Sequence, residues 1–152
     1  MRYLVWTFVL GGYALTCTAC SGSSTPITPA PTRANITLTV SPNPATATVC
    51  QLPCGLLDDN YSNHFSVTGT LTIQETAGVG GNIDSVNVQP TNNFNTIYQS
   101  VGRLTGNRVV QFPLLTSYGV DSPNGSQSIL IAVAVTDDRG NHFAVSTQWV
   151  AK

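Results

Sequence analysis

Four cysteines, two histidines and a few acidic residues are the groups in this chain with chemistry to offer. Cys50-Gln-Leu-Pro-Cys54 sets two thiols around a proline turn, a spacing that reaches disulfide geometry. So small a loop gains about 2 kcal/mol from the bond, enough to stiffen it. Zinc is the alternative, because Cys50, Cys54, His64 and His142 are ligands of the right types. A dithiol redox role needs a Cys-x-x-Cys spacing that this pair lacks. Asp58-Asp-Asn-Tyr-Ser62 begins like a calcium loop but has Asn63 in place of the required glycine and Gly69 in place of the bidentate glutamate, so it reads as a solvated loop. Asp137 and Asp138 open a hairpin turn, where an aspartate caps backbone amides more often than it binds a cation. For hydrolysis the nearest set is Ser62, His64 and Asp58, with no Gly-x-Ser-x-Gly elbow and no His-Glu-x-x-His helix around it. Gly78-Val-Gly-Gly81 is a turn rather than a phosphate cradle, since no helix follows. The expectation is a protein without catalytic residues, resident metal or cofactor, with a small hydrolase as the distant alternative.

The other two cysteines stand beside an apolar run. Met1-Arg2-Tyr3 is followed by Leu4 to Leu15, roughly a dozen apolar residues, which is the charged start and short apolar core of an export signal. A membrane span needs about 20 residues, and Gly11-Gly12 breaks the run as a helix. Thr18-Ala19-Cys20 resembles the lipobox of bacterial lipoproteins, with Cys17 where leucine is usual. The resemblance implies cleavage before Cys20 and lipidation of Cys20 by a diacylglyceryl thioether and an N-acyl chain such as palmitate. Two or more chains anchor stably where one is marginal. Ser21 after the cysteine resembles the outer-membrane sorting choice of Gram-negative lipoproteins. On this reading Cys17 leaves with the signal, and Cys50 and Cys54 remain as an even pair in an oxidising compartment. Ordinary secretion and a retained N-terminal anchor are the alternatives.

The elements that must position these groups follow from composition. Residues 1–19 read as the lipoprotein signal, and 20–33 as the lipidated cysteine with a Pro/Ser/Thr-rich tether of polyproline II type. Residues 34–152 make one domain. Charged residues are 9% of the chain against about 25% in an average protein, which argues against nucleic acid as a partner; the six basic residues are scattered along the sequence. Period-2 alternation is clear in His64–Glu75 and Phe143–Trp149, and Ser128–Thr136 reads as a buried central strand. Weaker strands are expected at Ile36–Val40, Ala45–Cys50, Ile83–Val88, Phe94–Val101 and Arg108–Pro113. Seven or eight short strands with regular turns indicate an all-β sandwich. The opening ITLTVSPNPATATV, the stretch TIQETAGVGG and the closing AVAVTDDRGNHFAVSTQWV resemble bacterial immunoglobulin-like domains of surface proteins. The antibody hallmarks of two core cysteines, a central tryptophan and a tyrosine corner are missing from the pattern.

The expected function is that of a membrane-anchored, extracytoplasmic lipoprotein in the cell envelope, on the outer membrane in a Gram-negative cell. Its immunoglobulin-like domain serves binding, adhesion or scaffolding toward an envelope protein or glycan. A carbohydrate-binding module is the rival, and would need an exposed aromatic row from Tyr61, Tyr98, Tyr118 and Trp149, of which alternation turns Trp149 to the core. The turns Ala77–Asn82 and Asp137–Asn141 should share the tether end. The loops Cys50–Asn63, Pro90–Asn93 and Leu115–Gln127 should share the opposite end, where Leu57, Tyr61 and Tyr118 are the expected docking residues.

Overall fold

The computed structural model describes residues 30–50, 61–91 and 95–152. In chain order its strands are β1 (Ile36–Ser41), β2 (Thr48–Val49), β3 (Asn63–Glu75), β4 (Gly81–Pro90), β5 (Thr96–Leu104), β6 (Val109–Val120), β7 (Gln127–Asp137) and β8 (His142–Ala151). Alternation decides which side of each meets the core. Phe65, Val67, Leu71 and Ile73 of β3 are buried between exposed or half-exposed Thr and Gln residues. Ile129, Ile131, Val133 and Val135 of β7 do the same from the facing layer.

The layers are two antiparallel sheets. β3 pairs along one edge with β6, while β1 and β2 share its other edge in succession, Ile36 opposite Glu75 and Val49 opposite Phe65. The second sheet runs β5-β4-β7-β8. Among the described residues this is an immunoglobulin-like sandwich of eight strands, with β5 as a fourth strand on the β4-β7-β8 sheet and no described strand beyond β6 on the other.

Between β1 and β2 the chain changes sheet. The Ala45 amide donates to the Val150 carbonyl at 2.8 Å, the Lys152 amide donates to the Ala45 carbonyl at 2.9 Å, and the Ala47 amide donates to the Lys152 carbonyl at 2.8 Å. The stretch expected as one strand, Ala45–Cys50, is therefore split, its first part lying parallel to β8 and its second forming β2. Trp149 fastens this crossing, its indole Nε1 donating to the Pro42 carbonyl at 2.9 Å from a ring with no exposed surface. Gly69 makes room for it, since a Cβ there would fall 2.7 Å from the ring.

The largest departure from expectation is β6, which runs on past Pro113 to Val120. Leu114, Thr116, Tyr118 and Val120 face the core while Leu115 faces out, so the apolar pattern is inverted for two residues. Pro113 fits because β6 is paired on one side only, where a missing N–H leaves no partner stranded. Residues 115–120, expected in a loop, are strand, and Tyr118 is held in the core. The β7–β8 hairpin turns as expected on Gly140, at φ 82°, whose amide donates to the Asp137 carbonyl at 2.9 Å.

Candidate functional site

The registers sort the turns to two ends. Ile36 faces Glu75, Gln74 faces Val109, Gly81 faces both Leu104 and Asp137, and Thr136 faces His142. The chain therefore enters at the end that also holds the turns at 76–80, 105–108 and 138–141. Asn63, Val120, Gln127 and Ala151 close the opposite end.

Two buried carboxylates organise the tether end. Glu75 is 1% exposed, and its Oε1 accepts from the amides of Asn35 at 3.2 Å and Ala77 at 2.7 Å. Its Oε2 accepts from the amides of Gly78 and Asn107, each at 2.8 Å. Burial pushes the Glu75 carboxyl up, but these four amides outweigh it and hold the group below its usual value of 4.5. Asp137 is 3% exposed, and accepts from the Ala34 amide at 3.0 Å, the Arg139 amide at 3.0 Å and the Asn141 amide at 2.9 Å. The Asn141 side-chain amide donates to both of its oxygens, at 3.1 and 2.9 Å. Against the upward push of burial, the Asn141 side chain first and then these amides bring Asp137 down to about 2. Asp137 thus caps its turn rather than offering a cation site, and Asp138 pairs with Arg103 at 2.7 Å.

Beside this end, β4 and β5 depart from regular pairing. The register of β4 slips between Ile83 and Ser85, and across from it Ser100 and Gly102 have φ of 51° and 141°. The two irregularities open a shallow recess of about 540 Å³, lined by Asn82, Asp84, Gln99, Ser100 and Arg103 among others. Asp84 is positioned from beneath, its Oδ2 accepting from the Thr136 hydroxyl at 2.7 Å. Thr136 Oγ1 also lies 2.7 Å from His142 Nδ1. A hydroxyl has one proton; given to the carboxylate, it leaves His142 Nδ1 as the donor to Thr136. In that arrangement Thr136 donates to Asp84, and His142 Nδ1, itself the donor, does not act as a base on the hydroxyl. Thr136 and His142 face each other across the β7–β8 hairpin, and the β4–β7 register brings in Asp84 from 52 positions away.

The expected docking residues fare differently. Tyr118 is a correction: it has no exposed surface, stacks on Phe65 with centroids 6.0 Å apart, and donates its hydroxyl to the Gly125 carbonyl at 2.6 Å. It ties the β6–β7 corner from within, and burial raises its pKa above 10.0. Tyr61 is half-buried and packs on Gly119, where a Cβ would meet its ring at 2.6 Å. Leu57, Cys54 and Cys20 fall outside the described residues, as does Asp58 of the hydrolase set. His64 sits near the start of β3, its Nε2 buried without a hydrogen-bond partner, so no serine hydroxyl rests on that nitrogen. His64 and His142 stand at opposite ends of different sheets, too far apart to share a zinc ion. No aromatic ring is exposed among the described residues, so the row expected of a carbohydrate-binding module is not formed there.

No protein-family model matches the chain, and no curated protein matches it. A structural-genomics target designated SoR45 is similar over 76% of this chain and 84% of its own, at 15% identity and a TM-score of 0.51. A Bordetella pertussis protein described as ApaA aligns over 77% of this chain and 92% of its own, at 10% identity and a TM-score of 0.47. The first of these likenesses is one of fold alone.

Proposed function

We propose that the chain is an extracytoplasmic lipoprotein, anchored through lipidated Cys20, whose sandwich is a non-catalytic binding or scaffolding domain of the cell envelope. The observation that carries this reading is the clamp on the entering chain. The amides of Ala34 and Asn35 are taken up by Asp137 and Glu75, so a tether arriving from Cys20 ends at a fixed point on a rigid domain. Such an attachment fixes the point from which a tethered domain is held. The Cys50–Cys54 disulfide belongs to the same reading, and is supported by a Cys50 thiol that is not free.

Lipid labelling of the exported protein tests the anchor. Wild type should carry acyl chains on Cys20, and Cys20→Ala should carry none and stay uncleaved; label that persists on the variant refutes the assignment. Mass spectrometry without reductant should find Cys50 and Cys54 two hydrogens lighter than free thiols.

Glycan binding is the second reading, favoured by the recess at Asp84. Its lining is carboxylate, amide, hydroxyl and guanidinium, which suits a hydroxyl- and amide-rich envelope glycan rather than an apolar ligand. Titration of the exported protein with soluble cell-wall fragments should show binding that Asp84→Asn weakens. Equal binding by the variant would remove the recess from consideration.

A further inference from the structure

The described domain has five basic residues, and the fold gathers four of them at one end. Arg33 precedes β1, Arg103 closes β5, Arg108 lies in the turn before β6 and Arg139 at the tip of the β7–β8 turn, while Lys152 stands at the opposite end. All four arginines are exposed. Arg33 stacks over Phe143 at 3.8 Å, which orders the guanidinium without neutralising it. Arg103 is paired with Asp138, whereas Arg108 and Arg139 make no ion pair among the described residues. The other acids of this end keep their charge: Glu75 and Asp137 are turned inward among amide donors, and Asp84 is exposed and bonded by Thr136, so the exposed arginines outnumber the exposed carboxylates Asp84 and Asp138 by two. The chain as a whole carries a formal charge of −1, so attraction to an anionic surface can come only from this placement.

We propose that this end seats on the anionic lipid headgroups of the membrane that holds the anchor. The inference rests on the lipoprotein reading, because the tether enters at the same end and directs it to the bilayer. Each unpaired arginine near an anionic surface is worth about fivefold in partition, an effect that fades within a screening length of about 8 Å. That is too little to recruit a free protein. A tether reaching roughly 40 Å keeps the domain at millimolar effective concentration, where weak attraction suffices. The seated domain lies flat-ended on the headgroups with its opposite end outward.

The test uses the lipidated protein in supported bilayers of phosphatidylglycerol mixed with phosphatidylcholine, and of phosphatidylcholine alone. Neutron reflectometry reads the height of the protein layer, and hydrogen exchange reads amides 105–108 and 138–141. On the anionic bilayer at low salt the layer should rest against the headgroups with those amides protected; high salt, or phosphatidylcholine alone, should release it. Arg108→Gln with Arg139→Gln should cut the seated-to-released ratio about 30-fold. Lys152→Gln changes charge by the same single step as Arg108→Gln and should leave the height unchanged. Equal heights on both bilayers overturn the inference, as does a Lys152→Gln effect equal to that of Arg108→Gln. Protection by soluble polyphosphate but not by the anionic bilayer also overturns it, in favour of a soluble polyanion. If mass spectrometry finds the exported protein without lipid, the anchor reading fails by itself. The same protein held by an N-terminal His tag on nickel-chelating lipid in the two bilayers then decides the docking, a layer seated only on the anionic bilayer supporting it and equal heights overturning it.

Discussion

The two ends of the sandwich are closed by opposite chemistry. At the tether end, Glu75 and Asp137 draw in amides from five stretches of chain: Ala34–Asn35, Ala77–Gly78, Asn107, Arg139 and Asn141. At the other end the closure is aromatic, with Tyr118 stacked on Phe65, bonded to Gly125, and Tyr61 lying on Gly119. A charged acceptor fixes several loops at once without apolar residues, because hydrogen bonds to a charge contribute about 1.5–3 kcal/mol each against about 1 for neutral ones. The cost is sensitivity to protons. An aromatic plug depends instead on contact area and shape.

The sharpest way to break this comparison is at Tyr118. Tyr118→Ala empties a fully buried ring site and should cost about 3–5 kcal/mol in denaturant unfolding. A loss under about 1 kcal/mol would mean that the plug is dispensable. Glu75→Ala strands four amides, each bond to the charge worth about 1.5–3 kcal/mol, and with water replacing most of them at this turn end should cost about 2–4 kcal/mol. Its signature is local, faster exchange at residues 34–35 and 76–78 with the Tyr118 end undisturbed.

Titration separates the ends further. Asp137 and Glu75 are acids whose folded pKa lies below the unfolded one, so their stabilisation is complete above about pH 5 and is lost as pH falls, for Glu75 below its unfolded value of 4.5 and for Asp137 from 3.8 toward about 2. Tyr118 has a folded pKa raised above 10.0, so its contribution is complete below that value and is lost as pH rises past it. Acid should therefore open the tether end first and alkali the aromatic end first, in pH-dependent exchange read residue by residue. The same order of opening at both extremes would erase the distinction. The smallest effect belongs to the surface pair. Asp138→Asn removes the partner of Arg103, both more than two-fifths exposed, and should change stability by less than about 1 kcal/mol.

Much of the fold was legible from side-chain alternation. In β3, β7 and β8 the apolar set keeps step with the pleat, so face and strand could be read together. The second half of β6 was not, because Leu115 points out and Thr116 in, and local hydropathy cannot register a threonine that tertiary packing buries. Tyr118 misled for the same reason, since a tyrosine in an assumed loop looks like a surface anchor. The tether-end cluster was beyond reach by construction. Glu75 and Asp137 bond to chain segments up to 103 positions away, and Asp84, Thr136 and His142 meet through strand register. The arginines look scattered along the sequence and become neighbours only when the chain entry and three turns come together at one end. Among the predicted docking residues, Tyr61 alone is both described and partly accessible.

The parallel contact between Ala45–Ala47 and the end of β8 has a mechanical consequence. The entering chain and the last strand leave the sandwich at opposite ends, and they lie side by side in the same direction where they touch. A load between Ala34 and Lys152 therefore pulls that seam lengthwise. Its hydrogen bonds stand across the direction of pull, so they must give way together rather than one after another like a zip. A domain pulled from its two termini would resist at this seam, with Trp149 and Pro42 as the rivet beside it.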